Sequence, residues 1–253
     1  MLDPLPHRPD LDAPSVPTDA TVSLFFDLDG TLIDLAARPD AVVVSAALLA
    51  ALARLSARRP GRVAILSGRS IAQLDDLLGP FARSVAVAGS HGAERRAPAA
   101  AAIAATVPPA LAAAHADLAA VADRHGLLLE RKSLGTALHF RDTPALEGVA
   151  DDAARDVAHR HGLVLQRGKM MVEVRAPGDK GAALTALLAT PAMAGTRPLF
   201  FGDDVTDEDG FVAAYDAGGA GVLVGPPRIT AARHRLPDPA AVRAWIERAG
   251  GDA

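Results

Sequence analysis

Nine consecutive residues constrain this chain more than any others: Leu24-Phe25-Phe26-Asp27-Leu28-Asp29-Gly30-Thr31-Leu32. An apolar run stops at two carboxylates separated by a single residue, and glycine and threonine follow. The run predicts a buried strand over Val22–Phe26, and Asp-Gly-Thr predicts the turn that leaves it. In an open α/β sheet, ligands collect at the carboxyl ends of strands, which puts Asp27 where one would sit. Two buried carboxylates this close repel each other and need a cation or a proton to hold them together. An aspartate beside a divalent ion can also act as a covalent nucleophile towards phosphoryl groups. The plain alternative is a strand that ends in two solvated turn acids.

The rest of the chain supplies a matching frame. After the Asp27 turn, a loop with Pro39 leads to an Ala/Leu helix over Ser45–Arg58 with Ser45 as its cap. Val63–Leu66 is a second buried strand closed by Ser67-Gly68-Arg69, and a helix over Ser70–Leu78 follows. Val85–Ala88 is a third strand, ending in Gly89-Ser90-His91-Gly92-Ala93-Glu94. This alternation argues for a parallel, doubly wound sheet. The texture then changes. An Ala/Pro-rich passage, Ala97–Pro109, precedes a helix to Arg124. Strand-like Leu127–Arg131 and Thr136–Arg141 flank a Gly135 turn, and a helix over Ala145–Arg160 precedes strand-like Leu163–Gln166 and Met170–Arg175. Helix-strand-strand occurs twice, with no residue-level repeat, and predicts an α+β insert with an antiparallel sheet. From Asp179 the first texture resumes: a helix over Lys180–Ala189, a strand over Pro198–Phe201 ending in Gly202-Asp203-Asp204, a helix over Glu208–Ala217, a strand over Gly221–Val224 and a helix over Pro239–Ala249. The hinges of the insert fall near Ala97 and Pro177, and an insert so placed suits a lid over the strand ends.

Composition narrows the possible partners. Lys and Arg total 26 against 30 Asp and Glu, a formal charge of −4, which is too balanced for a nucleic-acid or membrane-surface binder. There is no cysteine, which excludes disulfides and thiolate metal sites. The opening stretch is rich in Pro and Asp and lacks an apolar signal core. The longest apolar-looking run, around 41–53, is broken by Ser45 and falls short of the ~20 residues a membrane span needs. A cytoplasmic monomer is expected, with residues 1–20 as a flexible arm.

Asp27-Leu28-Asp29-Gly30-Thr31-Leu32 resembles the first motif of the haloacid dehalogenase superfamily of phosphatases, and further stretches resemble its trehalose-6-phosphate phosphatase branch. Those stretches are Ser67-Gly68-Arg69, Gly89-Ser90-His91-Gly92-Ala93-Glu94, Glu130-Arg131-Lys132, His139-Phe140-Arg141 and the run Gly168–Arg175 before Lys180, while Ser67, Lys180 and Gly202-Asp203-Asp204-Val205-Thr206-Asp207-Glu208-Asp209 resemble the superfamily's second, third and fourth motifs. The resemblance implies a doubly wound parallel-sheet (Rossmann-like) α/β core over 21–97 and 178–253, with an inserted α+β cap domain over 98–177. It also implies a Mg²⁺-dependent hydrolase that converts trehalose 6-phosphate to trehalose and phosphate through an aspartyl-phosphate.

In that reading Asp27 is the nucleophile and Asp29 the acid and base. Ser67 and Lys180 hold the phosphoryl charge. Lys180 stands at a predicted helix start, where the dipole disfavours a cation, and an anionic partner would relieve that cost. Asp27, the carbonyl of Asp29, Asp203 and Asp204 would hold Mg²⁺, because a hard ion wants oxygen ligands. Asp204 or Asp207 would alternatively ligate through water or orient Lys180. Glu208 and Asp209 are read as acids that favour a helix start. Substrate contacts would come from Ser67, Gly68, Arg69, His91, Lys132, His139, Arg141, Lys169, Glu173 and Asp207. Lys169, Met171, Glu173 and Arg175 would share a polar face, while Met170, Val172 and Val174 pack on helices. Phe140 stands where the family often has tyrosine, which removes one hydroxyl. His91 is read as shaping a loop or touching sugar, and His115, His125, His159 and His161 as surface residues. The alternatives are a phosphatase for another sugar phosphate, which would keep the core residues and differ at Lys132, His139, Lys169 and Glu173, or a non-catalytic sugar-phosphate sensor. No second phosphate site speaks for a mutase.

Overall fold

The computed structural model describes residues 11–18, 21–35, 42–100, 107–132, 134–168 and 170–251. The chain divides into two compact units, Met1–Ile103 with Asp179–Ala253, and Ala104–Gly178. The first is built on strands β1 (Val22–Phe26), β2 (Val63–Leu66), β3 (Ala86–Gly89) and β4 (Glu94–Arg96). The sheet is completed on its other side by β9 (Arg197–Gly202), β10 (Ala220–Val224) and β11 (His234–Leu236). The sheet order is β11-β10-β9-β1-β2-β3-β4, parallel throughout except for the β3–β4 pair. From β1 the chain first adds strands on one side and, after the insert, on the other. The order therefore reverses between β1 and β9, the kind of switch point at which doubly wound sheets bind ligands.

β1 is buried on both faces because helices cover both. Leu24 and Phe26 point into a cluster with Leu52 and Leu55 of α1 (Ala46–Arg58), Leu74 of α2 (Ile71–Leu78) and Trp245 of α7 (Pro239–Gly250). Phe25 points the other way, towards Leu184 of α5 (Lys180–Leu188) and Phe211 of α6 (Glu208–Asp216). Strand β9 repeats the division. Phe201 stacks on Phe26 with centroids 4.8 Å apart and meets Trp245 at 4.9 Å, while Phe200 packs on Phe211. Each fully buried Phe contributes roughly 2–3 kcal/mol of transfer free energy, so the two strands that carry the acids are also the best anchored.

The element expectations hold for this unit with shifts of a residue or two at the ends, and two short strands join them. β4 and β11 are each three residues long, below the length at which alternation can be read. A further difference concerns the arm expected to be flexible over 1–20, of which 11–18 is described. That part lies along the core: Trp245 Nε1 donates to the Pro14 carbonyl at 3.0 Å, Arg59 to that of Pro17, and Arg235 N to that of Asp12. Leu11 and Val16 pack against the two apolar clusters. Prolines that look like linker residues here present carbonyls to a buried indole and a buried guanidinium.

The second unit is α3 (Ala110–His125), β5 (Leu128–Arg131), β6 (Gly135–His139), α4 (Glu147–His161), β7 (Val164–Gly168) and β8 (Met171–Arg175). Its sheet is antiparallel, as the doubled helix-strand-strand pattern predicts, and its strands run in the order β5-β6-β8-β7. Gly135, expected as a turn, instead opens β6 opposite Arg175. A Cβ there would lie 2.4 Å from Glu173 Oε1, so the glycine makes room for a side chain of the next strand. Met170 precedes β8 with φ +63° rather than belonging to it.

Contrary to expectation, the repeat does exist at the residue level. Arg124-His125-Gly126-Leu127 and Leu129 recur as Arg160-His161-Gly162-Leu163 and Leu165, 36 residues on. Both glycines are left-handed helix caps, at φ +68° and +63°. The amides of Leu127 and Leu163 each return to a carbonyl five residues back, that of Ala122 or Ala158, the closing bond of a Schellman motif. The offset also carries Ala114 onto Ala150, Leu118 onto Ala154 and Leu138 onto Val174, all of them buried together between the helices and the sheet. Glu130 bonds His139 at 2.9 Å, and their equivalents Gln166 and Arg175 bond at 2.6 Å.

Candidate active site

Asp27 follows the last residue of β1 and its backbone amide donates to the Phe201 carbonyl of β9 at 2.9 Å, which fixes it at the switch point. Its side chain is buried, as are Lys180 and Asp207. Lys180 Nζ donates to Asp27 Oδ1 at 2.9 Å and to Asp207 Oδ1 at 2.6 Å. Lys180 is the first residue of α5, whose cap Asp179 accepts from Gly181 N, so the unfavourable dipole position is offset by two anions. Asp207 Oδ2 accepts the amides of Asp203 and Asp204 at 2.9 and 3.0 Å. Both oxygens of Asp207 are thus engaged and the residue is inaccessible to solvent. Asp207 is the residue that meets Lys180 and the two amides of the acid loop.

Asp203, just past β9, accepts from Thr31 Oγ1 at 3.3 Å. It lies over Gly30, where an added Cβ would stand 2.1 Å from Asp203 Oδ2, and Gly30 has φ +82°. Carboxylate oxygens of Asp27, Asp203 and Asp207 fall within 4.8 Å of one another. Asp204 lies outside that group. It is exposed, and its Oδ1 accepts from Val205 N at 2.7 Å to cap the turn that follows.

The electrostatics mark this spot as short of positive charge. Burial, reinforced by Asp207 and Asp203, pushes the Asp27 carboxyl well above the usual range despite Lys180. Burial and then Asp207 push Asp203 up to about 7. Burial works against the Lys180 ammonium, but Asp207 and Asp27 outweigh it and its pKa rises. One ammonium faces three acids, so a proton or a second cation is favoured among them. An all-oxygen donor set of this kind fits a hard divalent ion such as Mg²⁺, with Asp27 and Asp203 as the side chains left to hold it.

Asp29 sits half-buried beside this group, both of its oxygens bonded to Arg69: Nε to Oδ2 at 2.6 Å and Nη2 to Oδ1 at 2.7 Å. Ser67 ends β2, buried, with its Oγ accepting from Arg69 N at 3.1 Å. The 67–69 turn is held by the loop after β3. Ser90 N donates to the Arg69 carbonyl and His91 N to that of Ser67. Ser90 and His91 both have positive φ, +50° and +55°. The His91 ring lies over Gly68, where a Cβ would be 2.7 Å from Cε1. Ser67, Gly68, Arg69 and His91 are therefore brought together, with His91 shaping the loop. Glu94 completes the turn by accepting from Ile71 N at 2.8 Å, a role that its place in Gly-Ala-Glu did not reveal.

In the second unit the sheet has two distinct faces. Leu129, Leu138, Leu165, Val172 and Val174 join the helix-side cluster. Glu130, His139, Glu173, Arg175 and Gln166 alternate onto the other face, as expected. Lys132 Nζ bonds Glu173 Oε2 at 2.6 Å. Lys132 and Glu173 therefore form one pair on this face and His139 and Glu130 another, while Gln166 takes Arg175 as a partner that residue type alone did not single out. Arg141 is exposed just past β6, and Lys169 lies outside the described residues.

Known proteins match this arrangement. The sequence profile of the trehalose-phosphatase family matches residues 25–226. A probable trehalose-phosphate phosphatase of Sinorhizobium fredii is 39% identical over 81% of this chain and 78% of its own. The trehalose-6-phosphate phosphatase of Escherichia coli is 36% identical over 98% and 91%. Among solved structures, the C-terminal domain of Candida albicans trehalose-6-phosphate phosphatase covers 95% of this chain and 99% of its own at 21% identity, with a TM-score of 0.81. A phosphatase of the haloalkanoate (HAD) enzyme superfamily from Bacteroides thetaiotaomicron covers 91% and 96% at 16% identity, with a TM-score of 0.61. Those two likenesses establish the fold. With an acid-ended strand pair, a buried lysine between carboxylates and a profile match that spans both units, the chain belongs to the trehalose-phosphatase family of phosphoric monoester hydrolases.

Proposed function

We propose that this protein hydrolyses trehalose 6-phosphate to trehalose and phosphate, with Asp27 as the nucleophile. The observation that carries the reading is the buried Asp27–Lys180–Asp207 array at the β1/β9 switch point, together with the name of the E. coli relative. Lys180 holds one Asp27 oxygen, leaving the other to attack phosphorus. As the new P–O bond forms, the bond from phosphorus to the sugar oxygen breaks, and Asp29 gives that oxygen its proton. A water then attacks the aspartyl-phosphate and passes a proton to Asp29, and the P–O bond to Asp27 breaks, restoring the carboxylate. The Arg69 guanidinium that grips Asp29 in this structure would turn to the substrate's anionic end as Asp29 takes up its role. The Ser67 hydroxyl is available to a phosphoryl oxygen. Asp27 and Asp203 would hold Mg²⁺, which when bound stabilises charge on the transferring group.

In this reading, residues 21–97 and 178–253 form the catalytic core and 98–177 the lid. The polar sheet face with Lys132–Glu173 and Glu130–His139 would select the sugar, because a disaccharide is read by many directional hydrogen bonds. The protein would act as a cytoplasmic monomer. The test is phosphate release with Mg²⁺ from trehalose 6-phosphate, sucrose 6-phosphate and glucose 6-phosphate, with Asp27→Asn as control. Strong preference for the first supports both units' roles. Equal turnover of all three removes the selective role of the insert, and full turnover by Asp27→Asn removes the nucleophile.

A further inference from the structure

The loop that follows β10 reaches back across the acid loop that follows β9. Arg228 Nη2 donates to the Asp204 backbone carbonyl at 2.8 Å, its Nη1 pairs with Glu208 Oε1, and Nη1 also reaches the Ile229 carbonyl at 3.2 Å. Glu208, the first residue of α6, takes the Ala231 amide at 2.7 Å and the Thr230 hydroxyl at 3.2 Å through its other oxygen. Neither residue is needed to fill a core, since Arg228 and Glu208 side chains are 27% and 23% exposed. Glu208 therefore does more than favour a helix dipole. It bolts the 228–231 loop to the start of α6 and aims the guanidinium at one peptide.

That peptide is tied to the reacting groups. The Asp204 carbonyl that Arg228 holds also accepts from Asp207 N at 3.1 Å. The amides of Asp203 and Asp204 point inward to Asp207 Oδ2, whose other oxygen binds Lys180 and through it Asp27. The 203–207 loop is thus gripped from inside by Asp207 and from outside by Arg228. Only Asp203, among its acids, is left with its carboxylate turned to Asp27 over Gly30. A loop of five residues carrying three aspartates repels itself, and a fixed guanidinium outside it offsets that repulsion while leaving the inner face acidic.

We infer that Arg228, held by Glu208, is a positioning residue that fixes the Asp204–Val205 peptide, and with it the 203–207 loop, so that Asp203 presents its carboxylate for a divalent cation. The inference rests on the Mg²⁺ reading above. Partners of this outer kind typically shift metal affinity by about 10–100-fold.

The test is calorimetric titration of Mg²⁺ into the metal-free protein and its variants, with thermal unfolding in parallel. Arg228→Ala and Arg228→Lys should bind Mg²⁺ about tenfold or more weakly, with the melting temperature of Arg228→Lys within a few degrees of the parent. At saturating Mg²⁺ the KM for trehalose 6-phosphate should be unchanged. The exchanged pair Arg228→Glu/Glu208→Arg restores an ion pair but not the bond to Asp204, and should stay weak. Parent-like Mg²⁺ affinity in Arg228→Lys and Arg228→Ala overturns the inference, as does full recovery in the exchanged pair, which would make the contact a structural ion pair only. A parent protein that takes up no Mg²⁺ overturns the metal reading itself.

Discussion

Arg69 grips Asp29 by both carboxylate oxygens, at 2.6 and 2.7 Å, in the fork geometry that makes arginine–carboxylate pairs directional. The pair forms between the turns that end two neighbouring strands, so it ties the first acid motif to the serine turn. Arg69→Ala should lower kcat/KM for trehalose 6-phosphate by about 100-fold or more. The partners are only part-buried, so unfolding should shift by no more than about 1 kcal/mol. Steady-state kinetics with denaturant unfolding separates the two, and a large stability loss with unchanged kinetics would make the pair purely structural.

Lys180 is the opposite case, a buried cation shared by Asp27 and Asp207. Lys180→Met leaves two buried carboxylates facing each other, which costs about 3–5 kcal/mol. The variant should be both inactive and much less stable, and more so at high pH, where the carboxylates cannot share a proton. Chemical denaturation at pH 5 and pH 8 checks it; equal losses at both would contradict the argument.

Asp203 supplies a pH dependence with a definite sign. Its carboxyl is raised from 3.8 to about 7 by burial and by Asp207. The folded protein therefore holds a proton that the unfolded chain has lost, and stability falls as pH rises across that range. This contribution is fully present below about pH 4 and gone above about pH 7. Metal-free protein should melt at progressively lower temperature between about pH 4 and 7, Asp203→Asn should flatten that slope, and the thermal shift given by Mg²⁺ should grow with pH. A slope identical in Asp203→Asn would exclude this group as its source.

Gly30 combines a left-handed backbone with the close approach of Asp203. Gly30→Ala should destabilise the protein by at least about 1 kcal/mol and displace the Asp203 carboxylate, so Mg²⁺ affinity should fall even under conditions where the variant stays folded. Calorimetric titration below the melting range tests this, and parent-like affinity would show that Asp203 can move aside without consequence.

Much of this was readable from residue order. Strand β1 announces itself because both of its faces are buried, and Asp27, Lys180 and Asp203 follow from strand ends and a helix start. What escaped reading depends on who meets whom across the sheet. Asp204 and Asp207 are the same residue type three positions apart, yet one caps a turn in solvent and the other is enclosed with Lys180. Only the course of the 203–207 turn separates them. Arg228 lies in a Pro-Pro-Arg loop whose target is a backbone carbonyl, and a carbonyl has no sequence signature. Likewise Pro14 and Pro17 act through their carbonyls, which explains why a proline-rich arm that reads as a linker is partly bound to the core.

The 36-residue repeat of the insert has a consequence for how its sheet avoids other chains. Two copies of a helix-strand-strand unit meet through β6 and β8, so β5 and β7 become equivalent outer strands, each with one margin facing away from its own sheet. Open margins invite pairing with a second molecule unless something charged stands there. The repeat puts Arg131 on the one strand and Arg167 on the other, both exposed and both near the strand end, with Arg167 held to Asp151 of α4 at 2.6 and 2.9 Å. A chain that lost both arginines should associate through these margins before it loses its fold.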